Sequence, residues 1–222
     1  MQVRNSSYAL LLTFVLVIFL GVWFPLAKYI PAWSDESSHM SVGKGLLMTG
    51  EPVPFDFDQG KLTEYSYTRA LAISYLTKWF YQIGGESLLV ARLMPLFFTL
   101  LTFATYVWYR RARHKISGEH ILIAGILFFL QSMVFEKSMY VRYYAPLAFL
   151  FMISLIMLWE GMQSYERKRF VRATGMWALS AGFLVLPTLV HCTVTVNSKG
   201  SEFGSTKVTV IVSFGRFFAP LL

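Results

Sequence analysis

Two adjacent acids, Asp35 and Glu36, directly follow a long apolar run in the segment WSDESSHM. A carboxylate can accept a proton from an attacking hydroxyl or hold a divalent cation through its oxygen atoms. His39 follows Asp35 by four residues, which would place both side chains on one helix face, although the spacing alone is weak evidence for a metal ligand. The plainer interpretation is that acids in the first helical turn interact favourably with the helix dipole, by about 0.3–1 kcal/mol each.

A further acid, Glu136, lies in the segment QSMVFEKSMYVRYYAP, close to Lys137 and Arg142. Ionisable groups at membrane depth are costly, and they usually pair with one another or take part in function. One interpretation is a snorkelling ion pair of Glu136 with Lys137 or Arg142. The other is a cavity with carboxylates on one wall and a guanidinium on another, which suits a phosphate-bearing substrate because arginine binds phosphate through a planar fork.

Additional basic and aromatic side chains are candidates for contacts with such a substrate. For Arg92 the alternatives are an interfacial anchor and a guanidinium that holds the outer loop, and for Tyr140, Tyr143 and Tyr144 the alternative is an aromatic belt at the membrane surface. The candidates are Arg92, Arg69, Tyr65, Tyr67, Tyr140, Tyr143 and Tyr144.

The composition of the chain indicates a membrane protein. Of its 222 residues, 55% are hydrophobic and only 14% are charged, whereas a soluble domain carries about 25% charged residues. Mean hydropathy is +0.52. The net charge of +8 comes from short basic clusters between apolar runs, which favours membrane orientation over nucleic-acid binding. The single cysteine, Cys192, excludes an internal disulfide framework and a cysteine-based zinc site.

A spanning helix needs about 20 mostly apolar residues, and the sequence offers five candidates. The first is interpreted as a retained anchor rather than a cleaved signal peptide, because no small-residue cleavage site follows it. The candidates are Tyr8–Leu26, Leu88–Tyr109, Ile121–Phe135, Tyr143–Trp159 and Gly175–Val190.

Basic residues between the spans predict the orientation of the chain. They cluster after the second candidate span and after the fourth, and loops rich in lysine and arginine remain cytoplasmic. The N-terminus is therefore expected to be cytoplasmic, and residues 31–87 and the segment around Glu136 are expected on the other side. The clusters are Arg110, Arg111, Arg113 and Lys115, and Arg167, Lys168, Arg169 and Arg172.

The long outer loop contains signals for two helices. Ser34 is expected to cap a helix that starts at Asp35 and stops at Gly50. A second helix is expected over residues 62–83, with an apolar face suited to the membrane interface. The connector EPVPFDFDQG between them is rich in turn residues.

The last part of the chain, residues 191–222, is rich in β-branched and small polar residues. Three interpretations remain open: a weak sixth span, a pair of outer strands, or non-native sequence that follows a truncation or frameshift. The fold class predicted for the whole chain is an all-α polytopic membrane bundle of about five spans with a long amphipathic first outer loop. Residues 1–190 form its transmembrane domain, followed by an irregular or β-like tail.

The order of these features resembles the N-terminal half of the membrane GT-C glycosyltransferases, over roughly residues 8–190. The resemblance is carried by an aromatic residue and Asp-Glu after the first span, by ARLMPLFFTLLTFATYVWYRRA, and by EKSMYVRYYAPLAFLFMISL. The most similar groups are the protein O-mannosyltransferases and the bacterial aminoarabinose-to-lipid A transferases. Each motif is degenerate alone, so the weight rests on their order and spacing.

The resemblance implies transfer of a sugar from a polyprenyl-phosphate donor to an acceptor, usually with inversion at the anomeric carbon. Carried over by position, Asp35 is the candidate base or the carboxylate that orients the acceptor, with Glu36 beside it and Glu136 as the second acidic position. Arg142 is the candidate phosphate contact, while Arg92, Tyr143 and Arg69 are further substrate contacts. Where many bacterial relatives have Lys-Pro-Pro in the first outer loop, this chain has KLTEYSYTRA, and it lacks the later spans and C-terminal domain of full-length members.

We therefore expect an integral protein of the bacterial inner membrane that binds a polyprenyl-phosphate sugar and no nucleic acid. A divalent cation held by Asp35 and Glu136 is a further expectation. A non-catalytic membrane partner, or a truncated pseudo-enzyme that binds lipid or other subunits, is the alternative function. A transporter is a weaker third hypothesis, because the acids lie at span ends rather than in mid-span.

Overall fold

A computed structural model describes residues 2–64, 71–114, 116–166 and 169–190. The described residues confirm the all-α bundle, with eight helices and one two-stranded sheet. Within these described ranges, three segments are long and apolar enough to cross a membrane: Ser7–Tyr29, Leu88–Arg113 and Tyr144–Glu166. In chain order the elements are α1 (Gln2–Tyr29), α2 (Ser34–Thr49), β1 (Phe55–Asp56), β2 (Lys61–Leu62), α3 (Leu71–Gly84), α4 (Leu88–His114), α5 (Gly118–Phe129), α6 (Ser132–Lys137), α7 (Tyr144–Glu166) and α8 (Phe170–Val190).

The third expected span is not one helix, so the prediction for Ile121–Phe135 is wrong in this respect. Helix α5 ends at Phe129, and the short helix α6 starts only at Ser132. The 12 residues of α5 extend about 18 Å, which is less than the roughly 30 Å of a bilayer core.

The interrupted segment nevertheless packs along α1. At its beginning, Gly118 lies against the ring of Tyr8. Near its end, the Trp23 indole nitrogen donates a 3.1 Å hydrogen bond to the Ser138 hydroxyl. Residues 118–138 therefore follow α1 over most of its length, as a broken rather than a continuous helix.

Helix α8 packs antiparallel along α7 through small residues. The hydroxyls of Ser154 and Ser180 each donate to the other residue's carbonyl oxygen over 3.0 Å. About two turns further along α7, Gly161 leaves room for the ring of Trp177. Small and hydroxyl-bearing residues let transmembrane helices approach closely. The fifth expected span lies within α8, which begins earlier than predicted, at Phe170.

The outer loop folds into α2, a β1–β2 hairpin and α3. Gly50 ends α2 as expected, with a left-handed φ of 80° that suits glycine. The predicted cap is one residue off: Trp33 is the N-cap, Ser34 is the first helical residue, and the Glu36 carboxylate accepts the backbone N–H of Trp33 at 3.1 Å.

The second outer helix is shorter than predicted within the described residues. Leu62 pairs with Phe55 in the antiparallel hairpin, because the turn-rich connector closes on itself there. The described helix α3 starts at Leu71 and ends at Gly84. One face of α3 packs on α2 through Thr77, while Trp79 and Ile83 remain 65% and 88% exposed. Exposed apolar residues on one side are typical of a helix that lies along a membrane interface.

Some expectations fall on residues outside the described ranges. These are the predictions for Tyr65, Tyr67 and Arg69, and the interpretations of the tail from His191 onward.

Candidate functional site

A buried ion pair lies where the outer loop meets the spans. The Arg92 side chain is 1% exposed and that of Glu36 is 0% exposed. Two nitrogens of the guanidinium donate to the two carboxylate oxygens, over 2.9 Å from Nη2 to Oε2 and over 3.3 Å from Nε to Oε1. A side-by-side pair of this kind is among the stronger hydrogen-bonded arrangements in proteins.

The remaining N–H groups of Arg92 bind the end of α1. Its Nη1 donates to the carbonyl oxygens of Ala27 and Ile30, each over 2.8 Å, and Nη2 donates to that of Pro31 over 3.2 Å. The last carbonyls of a helix have no intrahelical partner, so Arg92 satisfies groups that would otherwise be buried without one. Its guanidinium has five N–H donors, and all of them are occupied.

Glu36 is also fully occupied. Besides Arg92, its carboxylate accepts the backbone N–H of Val141 at 2.9 Å and that of Trp33 at 3.1 Å. The pair therefore joins the end of α1, the start of α2, α4 and the loop before α7. Because no acceptor position of Glu36 and no donor of Arg92 is left for a substrate, we assign both residues a positioning role. The catalytic role predicted for Glu36 and the substrate contact predicted for Arg92 stay untested predictions.

Asp35 and Arg142 flank the buried contact between Glu36 and Val141. Asp35 directly precedes Glu36 on α2 and Arg142 directly follows Val141, so this contact brings Asp35 and Arg142 together. Asp35 and Arg142 form an ion pair with side-chain exposures of 60% and 26%. Arg142 also donates from Nη1 to the hydroxyl of Tyr144 over 3.2 Å. The structure thus brings together two of the sequence-predicted site residues.

Glu136 lies beside a cation of its own. Lys137 donates to the Glu136 carboxylate over 2.9 Å. Its ammonium also lies 5.0 Å from the ring centroid of Tyr144 and 5.3 Å from that of Tyr140. Asp35 and Glu136 are therefore linked by a continuous set of contacts, which we call the polar row: Asp35, Arg142, Tyr144, Lys137 and Glu136.

An apolar cavity of about 460 Å³ meets the polar row at Lys137 and Tyr144. It lies between α4, α7 and the interrupted α5–α6 segment, so the break in the third span forms part of its wall. Asp35 and Glu136 do not line it, and each reaches it through a neighbouring member of the row. The other lining residues are Thr99, Thr102, Phe128, Gln131, Met133, Val134, Ala145, Leu147, Ala148 and Phe151.

The surroundings favour the charged forms of both cations. The hydrogen bond with Glu136 raises the pKa of Lys137. Burial opposes the charge of Arg142, but the hydrogen bond with Tyr144 and the negative charge of Asp35 outweigh it, and its pKa is raised. Burial raises the pKa of the predicted contact Tyr143, whose ring lies 4.6 Å from that of Tyr144. The polar row therefore contains two side chains that are cationic at neutral pH, each paired with a carboxylate.

The described residues fit a divalent cation poorly. They contain no group of three or more His, Cys, Asp or Glu side chains placed to share a metal ion. Both predicted ligands, Asp35 and Glu136, are engaged by cationic side chains. His39 is buried, with its Nδ1 3.4 Å from the Ser74 hydroxyl. The cation stays a prediction, and the transfer reaction proposed for this site does not require it.

Lys137 and Tyr144 connect the row to the cavity, a role that the sequence pattern did not predict for Lys137. The pattern indicated Lys137 only as an ion-pair partner, and it left a substrate contact and an aromatic belt as alternatives for Tyr144. The available signal was their spacing: Tyr140 and Tyr144 follow Lys137 by three and seven residues.

Comparisons of the chain with protein-family models, curated proteins and solved structures give no match.

Proposed function

We propose that this chain is a membrane glycosyltransferase, or the N-terminal portion of one, that moves a sugar from a polyprenyl-phosphate donor to an acceptor. The observation that supports this most is the junction of the 460 Å³ apolar cavity with the polar row at Lys137 and Tyr144. A polyprenyl-phosphate sugar has the matching order of parts, with a long apolar chain, an anionic phosphate and a polar sugar.

The polyprenyl chain lies in the cavity, against apolar residues such as Phe128, Leu147 and Phe151. The phosphate binds between Lys137, which lines the cavity, and Arg142, which contacts the cavity-lining Tyr144. Arginine and lysine suit phosphate because their N–H groups form charge-assisted hydrogen bonds with its oxygens. Binding of the phosphate to Arg142 competes with Asp35, so donor binding releases the Asp35 carboxylate.

The released carboxylate then acts as the base. As the acceptor oxygen forms a bond to the anomeric carbon, the bond from that carbon to the phosphate oxygen breaks. The electron pair leaves with the polyprenyl phosphate, whose charge Lys137 and Arg142 stabilise, and the acceptor proton passes to Asp35. Attack from the side opposite the phosphate inverts the anomeric carbon. Glu136 holds Lys137 in place through their hydrogen bond.

The reaction takes place on the non-cytoplasmic side of the bacterial inner membrane, with the N-terminus in the cytoplasm. The three apolar helices long enough to span support an integral membrane protein. The side is inferred from the basic clusters at the other end of the bundle, by the rule that such loops stay cytoplasmic.

The test is sugar transfer in membranes that contain the full chain and radiolabelled polyprenyl-phosphate sugars. Asp35→Asn is expected to lower transfer by about 100-fold or more, the usual contribution of a positioned general base. The matched control is Asp58→Asn, at an exposed acid in the hairpin turn, and it should transfer sugar at the wild-type rate. Equal transfer by the wild type and Asp35→Asn would remove Asp35 from the chemistry.

A non-catalytic lipid-binding partner remains the second candidate. It is favoured by one observation: Asp35 and Glu136 are each already paired with a cation. A binding protein needs only the cations and the cavity. In this case the wild type would retain polyprenyl phosphate on purification, while transfer would be absent from the wild type as well as from Asp35→Asn.

A further inference from the structure

We propose that a second site, at the opposite end of the bundle, binds the phosphate of an anionic lipid headgroup. A polar cavity of about 200 Å³ lies there, where α4 and α7 end and α8 begins. Its charged lining side chains are Arg113, Arg169, Arg172 and Glu160, and the others are Ala112, Gln163 and Ser164. This cavity is separate from the polar row and takes no part in the proposed transfer.

The charges of this cavity do not balance. Glu160 on α7 is largely buried, with a side-chain exposure of 11%. It accepts from Arg113 over 3.1 Å and lies 3.5 Å from Arg172, and the Tyr109 hydroxyl donates to its second oxygen over 3.2 Å. Three guanidinium groups and one carboxylate therefore line the cavity, which leaves its lining with a surplus of two positive charges.

The arginines retain the freedom to bind an anion. The side chains of Arg113 and Arg172 are 49% and 40% exposed, and each contacts Glu160 through a single nitrogen, Nη2. They come from different elements, α4 and α8, with Arg169 from the connection before α8. A phosphate with several acceptor oxygens can bind guanidinium groups that converge from separate segments.

A neighbouring arginine at the same end of α4 supports this interpretation. The Nε of Arg110 is buried and has no hydrogen-bond partner among the described residues. A buried donor without a partner costs about 1–3 kcal/mol. The described part of the chain thus leaves a buried guanidinium donor unsatisfied at this end of α4, beside the cavity.

Position favours a lipid headgroup over a dissolved phosphate. Arg113 and Glu166 are the last residues of two candidate spans, so the cavity lies at the level where a spanning helix leaves the hydrocarbon. Exposed aromatic residues surround this level: Trp108, Trp159 and Tyr165 are 68%, 48% and 53% exposed. Tryptophan and tyrosine collect at headgroup depth, and basic pockets between transmembrane helices bind anionic headgroups.

A headgroup phosphate in this cavity would add a connection among the ends of α4 and α7 and the start of α8, beside the contacts of Glu160. Its single negative charge would offset part of the surplus positive charge. The structural consequence is a bundle whose stability depends on the anionic lipid content of the membrane.

The experiment measures retention of phosphatidylglycerol by the full purified chain, using native mass spectrometry after reconstitution in mixed phosphatidylcholine and phosphatidylglycerol. The double substitution Arg113→Gln with Arg172→Gln should weaken binding by about 30-fold, since each basic residue near the surface contributes roughly a factor of five. The matched control is Arg111→Gln, an exposed arginine of α4 that does not line the cavity. Because Arg111 does not line the cavity, its substitution should change binding by less than about two-fold if the site is specific, whereas general attraction of surface arginines to anionic lipid would give about five-fold.

A second variant keeps the test informative if the double substitution unfolds the chain. Glu160→Gln removes the carboxylate that competes for the arginines and keeps an oxygen to accept the Tyr109 hydroxyl. It should tighten phosphatidylglycerol binding by about five-fold, whereas a purely structural ion-pair network predicts no tighter binding.

A competition arm distinguishes the two sources of phosphate. If the lipid is the ligand, millimolar inorganic phosphate should not displace phosphatidylglycerol and should not raise the thermal unfolding temperature in phosphatidylcholine alone. Displacement by inorganic phosphate, equal loss in the double variant and Arg111→Gln, or no tightening in Glu160→Gln would each overturn the proposal.

Discussion

At the scale of single residues, two neighbouring acids on α2 have opposite surroundings. Glu36 is fully buried with every acceptor position occupied, while the side chain of Asp35 is 60% exposed. Burying an ion pair is favourable only when its remaining hydrogen-bonding groups are satisfied, and Arg92 with two backbone N–H groups meets that condition. The buried acid fixes the geometry, and the exposed one is left for the proposed chemistry.

Glu36→Gln should therefore destabilise the packing of the outer loop against the spans. The substitution leaves the Arg92 charge buried without a counter-ion, which should lower the free energy of unfolding by about 3–5 kcal/mol. Thermal unfolding in detergent, followed by intrinsic fluorescence, measures the change. The control Glu86→Gln breaks the more exposed pair with Lys44 and should cost about 1 kcal/mol or less. Equal losses in the two variants would contradict the positioning role of Glu36.

Lys137 provides a prediction about pH. Because the hydrogen bond with Glu136 raises its pKa above the ordinary value of 10.5, Lys137 stays protonated until the pH exceeds that raised value. The stabilisation from the pair is complete below the ordinary pKa and is lost as the pH rises through the raised one. In Glu136→Gln, the alkaline loss of polyprenyl phosphate binding should start at lower pH. Superimposable pH profiles of the wild type and the variant, recorded by lipid retention, would count against the assigned role of Lys137.

The candidate site was predictable only in part from the sequence. Charged residues at the ends of apolar runs identified Asp35, Glu136 and Arg142, because hydrocarbon excludes unpaired charges. The partner of Glu36 is 56 residues away, and its contact with Val141 spans 105 residues. Such pairings are set by tertiary packing, on which local spacing gives no information.

At the scale of elements, apolar composition predicts membrane helices well but not where they break. Residues 121–135 are continuously apolar up to Gln131, so hydropathy indicates one helix there, yet α5 ends at Phe129. Non-helical backbone at membrane depth is tolerated where it lines a cavity, and Gln131 does line the apolar cavity. The break is thus explained by tertiary structure that the sequence pattern does not contain.

The hairpin docks onto α2 where a side chain would not fit. A Cβ on Gly45 would overlap the carbonyl oxygen of Val53, and the Ser41 hydroxyl donates to the carbonyl of Phe55 over 2.7 Å. The outer loop therefore depends on this glycine for close approach of backbone to helix rather than for a special φ.

Gly45→Ala should displace the hairpin and lower the free energy of unfolding by about 1–3 kcal/mol, the usual cost of overpacking. Thermal unfolding and limited proteolysis at the hairpin test this expectation. The matched control is Gly21→Ala in α1, where a Cβ meets nothing within 4 Å. This change should be neutral or stabilising by up to about 1 kcal/mol. Greater proteolysis in Gly21→Ala than in Gly45→Ala would contradict the packing argument.

At the scale of the whole molecule, the two ends of the bundle differ in chemistry. One end carries the polar row and the apolar cavity, and the other carries the arginines of α4 and α8 with Glu160. The basic clusters in the sequence predicted this difference between the two ends, because lysine and arginine are concentrated in loops on one side of the membrane.

Cysteine labelling tests the proposed orientation. In a Cys192→Ser background, Asp58→Cys in the hairpin should react with an impermeant maleimide in intact cells. Arg111→Cys at the end of α4 should react only after the cells are permeabilised. The reverse pattern would place the polar row in the cytoplasm and exclude an outer-face reaction.

The most direct test of the central claim is photo-crosslinking with a polyprenyl phosphate that carries a photoreactive group on its chain. If the polyprenyl chain lies in the apolar cavity, the protein in nanodiscs should form adducts on cavity residues such as Met133, Val134 and Phe151. Lys137→Gln should clearly lower the yield of these adducts. Adducts spread over exposed α1 residues such as Leu10 and Phe14, with the same yield in Lys137→Gln, would contradict it.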